Sequence, residues 1–227
     1  MGTSNWQNIS YCIEIIRRIN PRTILDVGAG FGRWGFLSRE FLEIWDDCNY
    51  SDNWKRKIDA VEIFDKYVKP YHSYFYDNVY IENAIDFINK QESNYDLIIC
   101  GDIIEHLEKK EGKEFIDGCL KHSRYLMINI PIGKKWEQDI INENEYEIHK
   151  SQWYYSDFKK YPNRKIKKFR DYILRKFGVI LLSIEKIDLK SEYKKKYGKY
   201  FFVKNILNNK LNLGMLVNKL SKKKPNV

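Results

Sequence analysis

The chain has 227 residues, 43% hydrophobic and 15% aromatic, enough to bury one sizeable core. Mean hydropathy is −0.60, and no apolar run reaches the ~18 residues that a membrane-spanning helix needs. Charge is divided unevenly: residues 159–227 hold 21 Lys and Arg against 4 Asp and Glu, net +17, while residues 1–158 hold 19 against 27, net −8. The acidic part reads as a folded core and the basic part as a region with an anionic partner.

In chain order, Ile9, Cys12, Ile13 and Ile16 predict a helix from Ser4 to Ile19 that stops at Asn20-Pro21. Strands are expected at 23–28, 58–63, 78–82, 96–101 and 125–130, and helices at 33–46, 83–90 and 111–122, with Gly112 and Gly118 weakening the last. This alternation predicts an α/β fold with a mostly parallel sheet. Segment 131–152 is polar and aperiodic and follows the fifth strand, on the edge where ligands bind in open α/β sheets. It is expected to be a substrate lid or wall, with a helix following at 153–160. Ile166, Phe169, Ile173, Leu174 and Phe177 suggest a basic amphipathic helix over 165–176. Val179–Ile184 and Tyr200–Val203 are then expected to complete a seven-stranded Rossmann-like sheet with helices on both faces. Residues 1–207 read as one domain, with its lid and substrate segment over 131–160, and 208–227 as a basic tail.

The most informative stretch is Ile24-Leu25-Asp26-Val27-Gly28-Ala29-Gly30-Phe31-Gly32-Arg33-Trp34-Gly35. It reads as a strand, a tight glycine turn over which a ligand can lie, and a helix start. Gly30–Gly35 spells the dinucleotide fingerprint G-x-G-x-x-G, but it begins late after the strand. The next strand-end acid, Glu62, lies beyond the ~20-residue interval expected of a ribose-binding acid. Asp26 also suits a pyrophosphate poorly and a cationic ligand better.

At these residues the chain resembles the class I S-adenosylmethionine-dependent methyltransferases, whose first motif is an acid followed by G-x-G-x-G. The resemblance covers roughly residues 22–131. It implies a cofactor site built from Asp26, Gly28, Ala29, Gly30 and Gly32, from Glu62 and Ile63 at the ribose, and from Asn83-Ala84 beside the adenine. Asn83 stands where the family has Asp. The site continues through Gly101-Asp102, which opens the segment Asp102-Ile103-Ile104-Glu105-His106-Leu107. Gln138, Asn142, Glu147, His149, Ser151 and Trp153, with Gly32–Leu37, are further similar to small bacterial methyltransferases associated with saccharide modification.

His106 lies just past the fourth strand, where a side chain can face a transferred methyl group, and His149 comes from the expected lid. Both are candidate general bases, with Asp102 as an orienting group. His72 and His122 have no supporting context. Four histidines and four scattered cysteines (Cys12, Cys48, Cys100, Cys119) show no metal-ligand spacing, so no metal is expected. The cysteines suit a reduced, cytoplasmic protein, and no secretory signal is evident. The expected function is S-adenosylmethionine-dependent O-methylation of a saccharide or related small molecule. The basic region would hold the protein at the periphery of an anionic membrane. RNA methylation, or a non-catalytic binding module on the same fold, are the alternatives.

Overall fold

Strand β1 (Thr23–Val27) carries Ile24, Leu25 and Val27 and is buried from Ile24 onward, as parallel strands under two helical layers require. The computed structural model describes residues 5–47, 53–141 and 143–189. Around β1 are β2 (Lys57–Glu62), β3 (Asn78–Ile81), β4 (Tyr95–Gly101), β5 (Ser123–Ile132), β6 (Arg164–Arg170) and β7 (Lys176–Leu182), in the order β3-β2-β1-β4-β5-β7-β6. Only β7 runs against the rest, pairing antiparallel with both β5 and β6. Helices are α1 (Ile9–Ile19), α2 (Arg33–Ser38), α3 (Trp45–Asp47), α4 (Ala84–Asn89) and α5 (Lys109–Lys121). The sequence-predicted helix 33–46 corresponds to α2, a π-helical turn at Arg39–Ile44, and α3. In that wide turn the buried Arg39 and Glu43 pair, and Arg39 also reaches Asp77 at 2.7 Å.

Alternating residues of the strands feed two cores. Leu25, Val27, Ile98, Cys100, Leu126 and Ile128 face Phe115, Ile116 and Cys119 of α5, with Trp153 and Phe158 closing that cluster. Ile24 and Asp26 face the other way. Gly112, an apparent weakness in α5, is where Trp153 enters: a Cβ there would lie 2.7 Å from its Cζ2. The expected helix at 153–160 is a 3₁₀ helix, Tyr155–Lys160.

The expected helix over 165–176 is overturned. Arg164–Arg170 and Lys176–Leu182 form a β-hairpin, and its β6 arm supplies the seventh strand. A spacing of three puts residues on one face of a helix but on opposite faces of a strand. Ile166 packs on the Trp153 cluster, while Phe169 stacks on Phe177 at 5.3 Å and meets Tyr11 of α1 edge-on at 5.9 Å. The turn is held by Asp171, whose Oδ1 accepts from the backbone N–H of Ile173 and Arg175. The strand expected at Tyr200–Val203 and the tail 208–227 lie outside the described residues.

Candidate active site

In the sheet order, β1 is flanked by β2 on one side and β4 on the other, which opens a crevice at the strands' carboxyl ends. A cleft of about 430 Å³ occupies it. Its floor is the turn after β1, where Gly28, Gly30 and Gly32 all have positive φ. At Gly28 (φ 67°) a Cβ would fall 1.8 Å from Cδ1 of Ile103, so only glycine fits between this turn and the end of β4. The turn is pinned from three sides. Gly28 N–H donates to Val61 O at 2.8 Å, Gly30 N–H donates to Glu62 Oε2 at 2.8 Å, and Gly30 O accepts from Nε2 of buried His72 at 3.0 Å. His72, without context in the sequence, is thus a structural clamp on the turn.

Glu62 Oε1 accepts from Phe64 N–H at 2.9 Å. Burial raises its pKa above the usual carboxylate value, against the stabilising N–H groups of Phe64 and Gly30. Asn83 caps α4, its side-chain oxygen accepting from Ile85 N–H at 2.8 Å. Beyond β4, Asp102 has a left-handed backbone (φ 54°), an uncommon state for a residue with a Cβ.

Gly28, Ala29, Gly30, Glu62, Ile63, Asn83, Ala84, Gly101, Asp102, His106 and His149 all line the cleft. Asp26 and Gly32 are not among its lining residues. Asp26 lies beneath the turn, fully buried and bonded to the hydroxyl of Tyr76. Burial pushes its pKa up to about 7, against the hydrogen bond from Tyr76. Gly32 starts α2 and is packed against Phe75.

Segment 133–152 is the cleft's other wall, contributing Trp136, Gln138, Asn144, Tyr146 and Glu147 beside His149. Asn142 lies outside the described residues. The wall is tied down where it passes the 3₁₀ turn Ile104–His106: the N–H groups of Lys150 and Ser151 both donate to Glu105 O, at 2.9 and 3.0 Å. Trp153 Nε1 donates to Ile104 O at 3.2 Å, and Tyr67 OH to Glu147 Oε1 at 3.0 Å. This tether brings His106 and His149 together, with ring centroids 4.9 Å apart. His106 Nδ1 lies 3.2 Å from Ile148 O, and His149 Nδ1 is bonded to Trp136 O. A carbonyl only accepts, so each Nδ1 carries a proton. Burial, then the neighbouring His149, lowers the His106 pKa to about 4, and burial lowers that of His149. Both rings are therefore neutral at pH 7, with a lone pair on Nε2.

Glu105, Tyr67 and Trp136 line the cleft but were not singled out as site residues. Glu105 had a signal, since it sits between Asp102 and His106 in the recognised segment. Tyr67 and Trp136 belong to no pattern.

No protein-family model matches the sequence, and no curated protein matches it. Solved structures do match in fold. A SAM dependent methyltransferase from Archaeoglobus fulgidus has a TM-score of 0.52 at 16% identity, over 77% of this chain and 94% of that one. The O-methyltransferase TomG from Streptomyces achromogenes, in complex with SAM, has a TM-score of 0.53 at 10% identity, over 80% and 82%. TehB from Haemophilus influenzae has a TM-score of 0.52 at 14% identity over 78% of this chain, which spans only 62% of the length of TehB. The chain has the Rossmann-like fold seen in class I methyltransferases.

Proposed function

We propose that the protein is an S-adenosylmethionine-dependent methyltransferase that acts on an oxygen of a saccharide or related small molecule. The observation that carries this reading is one cleft with two ends: a glycine turn, Glu62 and Asn83 at one, and the His106–His149 pair at the other. The residues fit the cofactor. Gly28–Gly30 leave room for close approach, and Glu62 retains lone pairs for ribose hydroxyls beyond the two N–H groups it accepts. Asn83, with Ile63 and Ala84 beside it, supplies an amide to an adenine edge in place of the charged bond of an Asp. When bound, S-adenosylmethionine supplies an electrophilic methyl group on a sulfonium.

The chain's own task is alignment and proton handling. Its walls hold an acceptor in line with the donor. A neutral hydroxyl is a poor nucleophile, so a lone pair must receive its proton. That lone pair would be Nε2 of His106 or His149, with Asp102 orienting the pair. The exposed basic strand β6 supports docking near an anionic surface, such as a membrane where lipid-linked saccharides are built.

Calorimetry with S-adenosylmethionine and S-adenosylhomocysteine tests the cofactor first, and absence of binding to either would leave a module without this chemistry. Incubation of the protein with methyl-labelled cofactor and fractionated host extract tests the acceptor. Label in a saccharide fraction is the expected result, and label confined to RNA would overturn the acceptor class.

A further inference from the structure

We propose that Glu105, His106 and His149 form a binding site for one divalent transition-metal ion at the acceptor end of the cleft. Each offers one ligand atom, and the three atoms lie within 4.8 Å of one another. Bonds of about 2.0–2.2 Å at tetrahedral angles set ligand atoms roughly 3.4 Å apart. Side-chain rotation that draws the three atoms together by up to about 1.4 Å completes the set.

Two observations point to a cation. Glu105 is only 1% exposed, yet its Oε2 has no hydrogen-bond partner. A buried carboxylate oxygen without a donor is costly unless something positive meets it. Second, both histidines spend Nδ1–H on a backbone carbonyl, Ile148 O and Trp136 O, which leaves Nε2 as the ligand atom. That is the outer bonding by which proteins fix the tautomer and orientation of metal-binding imidazoles.

Two imidazoles and one carboxylate suit borderline ions such as Zn²⁺, Mn²⁺, Fe²⁺ or Co²⁺ better than Mg²⁺ or Ca²⁺. Three protein ligands leave positions open for the acceptor's hydroxyl oxygen. Coordinated there, the hydroxyl is acidified: its O–H bond breaks, the electron pair stays on oxygen and the proton leaves to solvent. Histidines that would otherwise take the proton directly then act by holding the ion. This catalytic role rests on the methyl-transfer reading, whereas binding of the ion does not.

The test uses the full-length, tag-free chain after chelation, titrated with Co²⁺ by absorption spectroscopy and with Mn²⁺ by electron paramagnetic resonance. One ion per chain is expected, with a Kd of tens of micromolar or tighter. Glu105→Gln and His149→Ala should each weaken it at least tenfold while leaving S-adenosylhomocysteine binding and the melting profile close to wild type. Stoichiometric binding that survives both substitutions, or no binding below millimolar ion, overturns the site. In a methylation assay chelation should stop turnover without changing S-adenosylhomocysteine affinity, and undiminished turnover would return the proton to the histidines. Ion binding without any binding of S-adenosylhomocysteine would leave the metal site standing and remove the methyltransferase reading.

Discussion

Asp26 receives a hydrogen bond from Tyr76, and its Oδ1 has no partner. Burial raises its pKa from 3.8 to about 7, so the folded chain keeps a proton that the unfolded chain releases. Between those two values the folded state binds more protons, and this residue's contribution to stability falls as pH rises. Other buried groups titrate in the same range, so the contribution is read as a difference between variants. The stability of wild type relative to Asp26→Asn should drop by up to ~1.4 kcal/mol per pH unit between about pH 4 and 7. Urea unfolding at a series of pH values measures it, and a difference that stays flat would show Asp26 to be ionised in the fold. Glu62 is a second residue with a sharp expectation. In Glu62→Gln an amide NH₂ replaces one oxygen and confronts the N–H of Gly30 or Phe64, donor against donor. S-adenosylmethionine affinity should fall tenfold or more by calorimetry, and unchanged affinity would remove Glu62 from the cofactor site.

Helix α5 and the wall behind it show how one element positions another. Trp153 packs against Gly112 and donates to Ile104 O, next to the turn that carries Glu105 and His106. Gly112→Ala places a Cβ against the indole and 3.3 Å from Ile104 O, so the ~1 kcal/mol helix-propensity gain is outweighed. Gly118→Ala meets only Cγ2 of Ile88, at 3.1 Å. Thermal unfolding should find Gly112→Ala less stable than Gly118→Ala by about 1–3 kcal/mol, with the larger loss of methyl transfer. Equal stabilities would mean that the indole moves aside freely. The first five strands were legible because each is an apolar run ended by a glycine or an acid. The hairpin at 164–182 was not, because Ile166 and Phe169 repeat at a helical interval while serving opposite faces of an edge strand. At the site, the glycine turn and Glu62 were legible as a motif. The meeting of Glu105 and His106 with His149 was not, since a helix, a strand and the aperiodic wall separate positions 106 and 149, and backbone bonds to Glu105 O bring them together.

Across the whole molecule, charge is the property that the fold arranges most unevenly. Five of the seven residues of β6 are Lys or Arg, and all five are exposed. Each basic side chain near an anionic bilayer contributes roughly 1 kcal/mol. Replacing Lys165, Lys167 and Lys168 with Glu should weaken sedimentation with phosphatidylserine vesicles by roughly tenfold or more, and salt should weaken the wild type similarly. Retention that ignores salt and substitution would place any membrane contact elsewhere, whereas salt-sensitive retention on RNA alone would point to a nucleic acid.

The position of β6 carries a consequence for solubility as well. It is the outermost strand of a seven-stranded sheet, with one row of backbone N–H and C=O groups unpaired by any described strand. Such an edge is a template for strand-to-strand aggregation, and repelling side chains are a common safeguard. The lysines would serve two purposes that respond differently to chemistry. Glutamates in their place preserve mutual repulsion and lose the affinity for anions, whereas valines lose both and expose a β-prone edge. Light scattering on concentrated protein should therefore find the glutamate variant monodisperse and the valine variant prone to association. Lysine acetylation along this strand would move the protein toward the second behaviour without altering a single residue of the cleft.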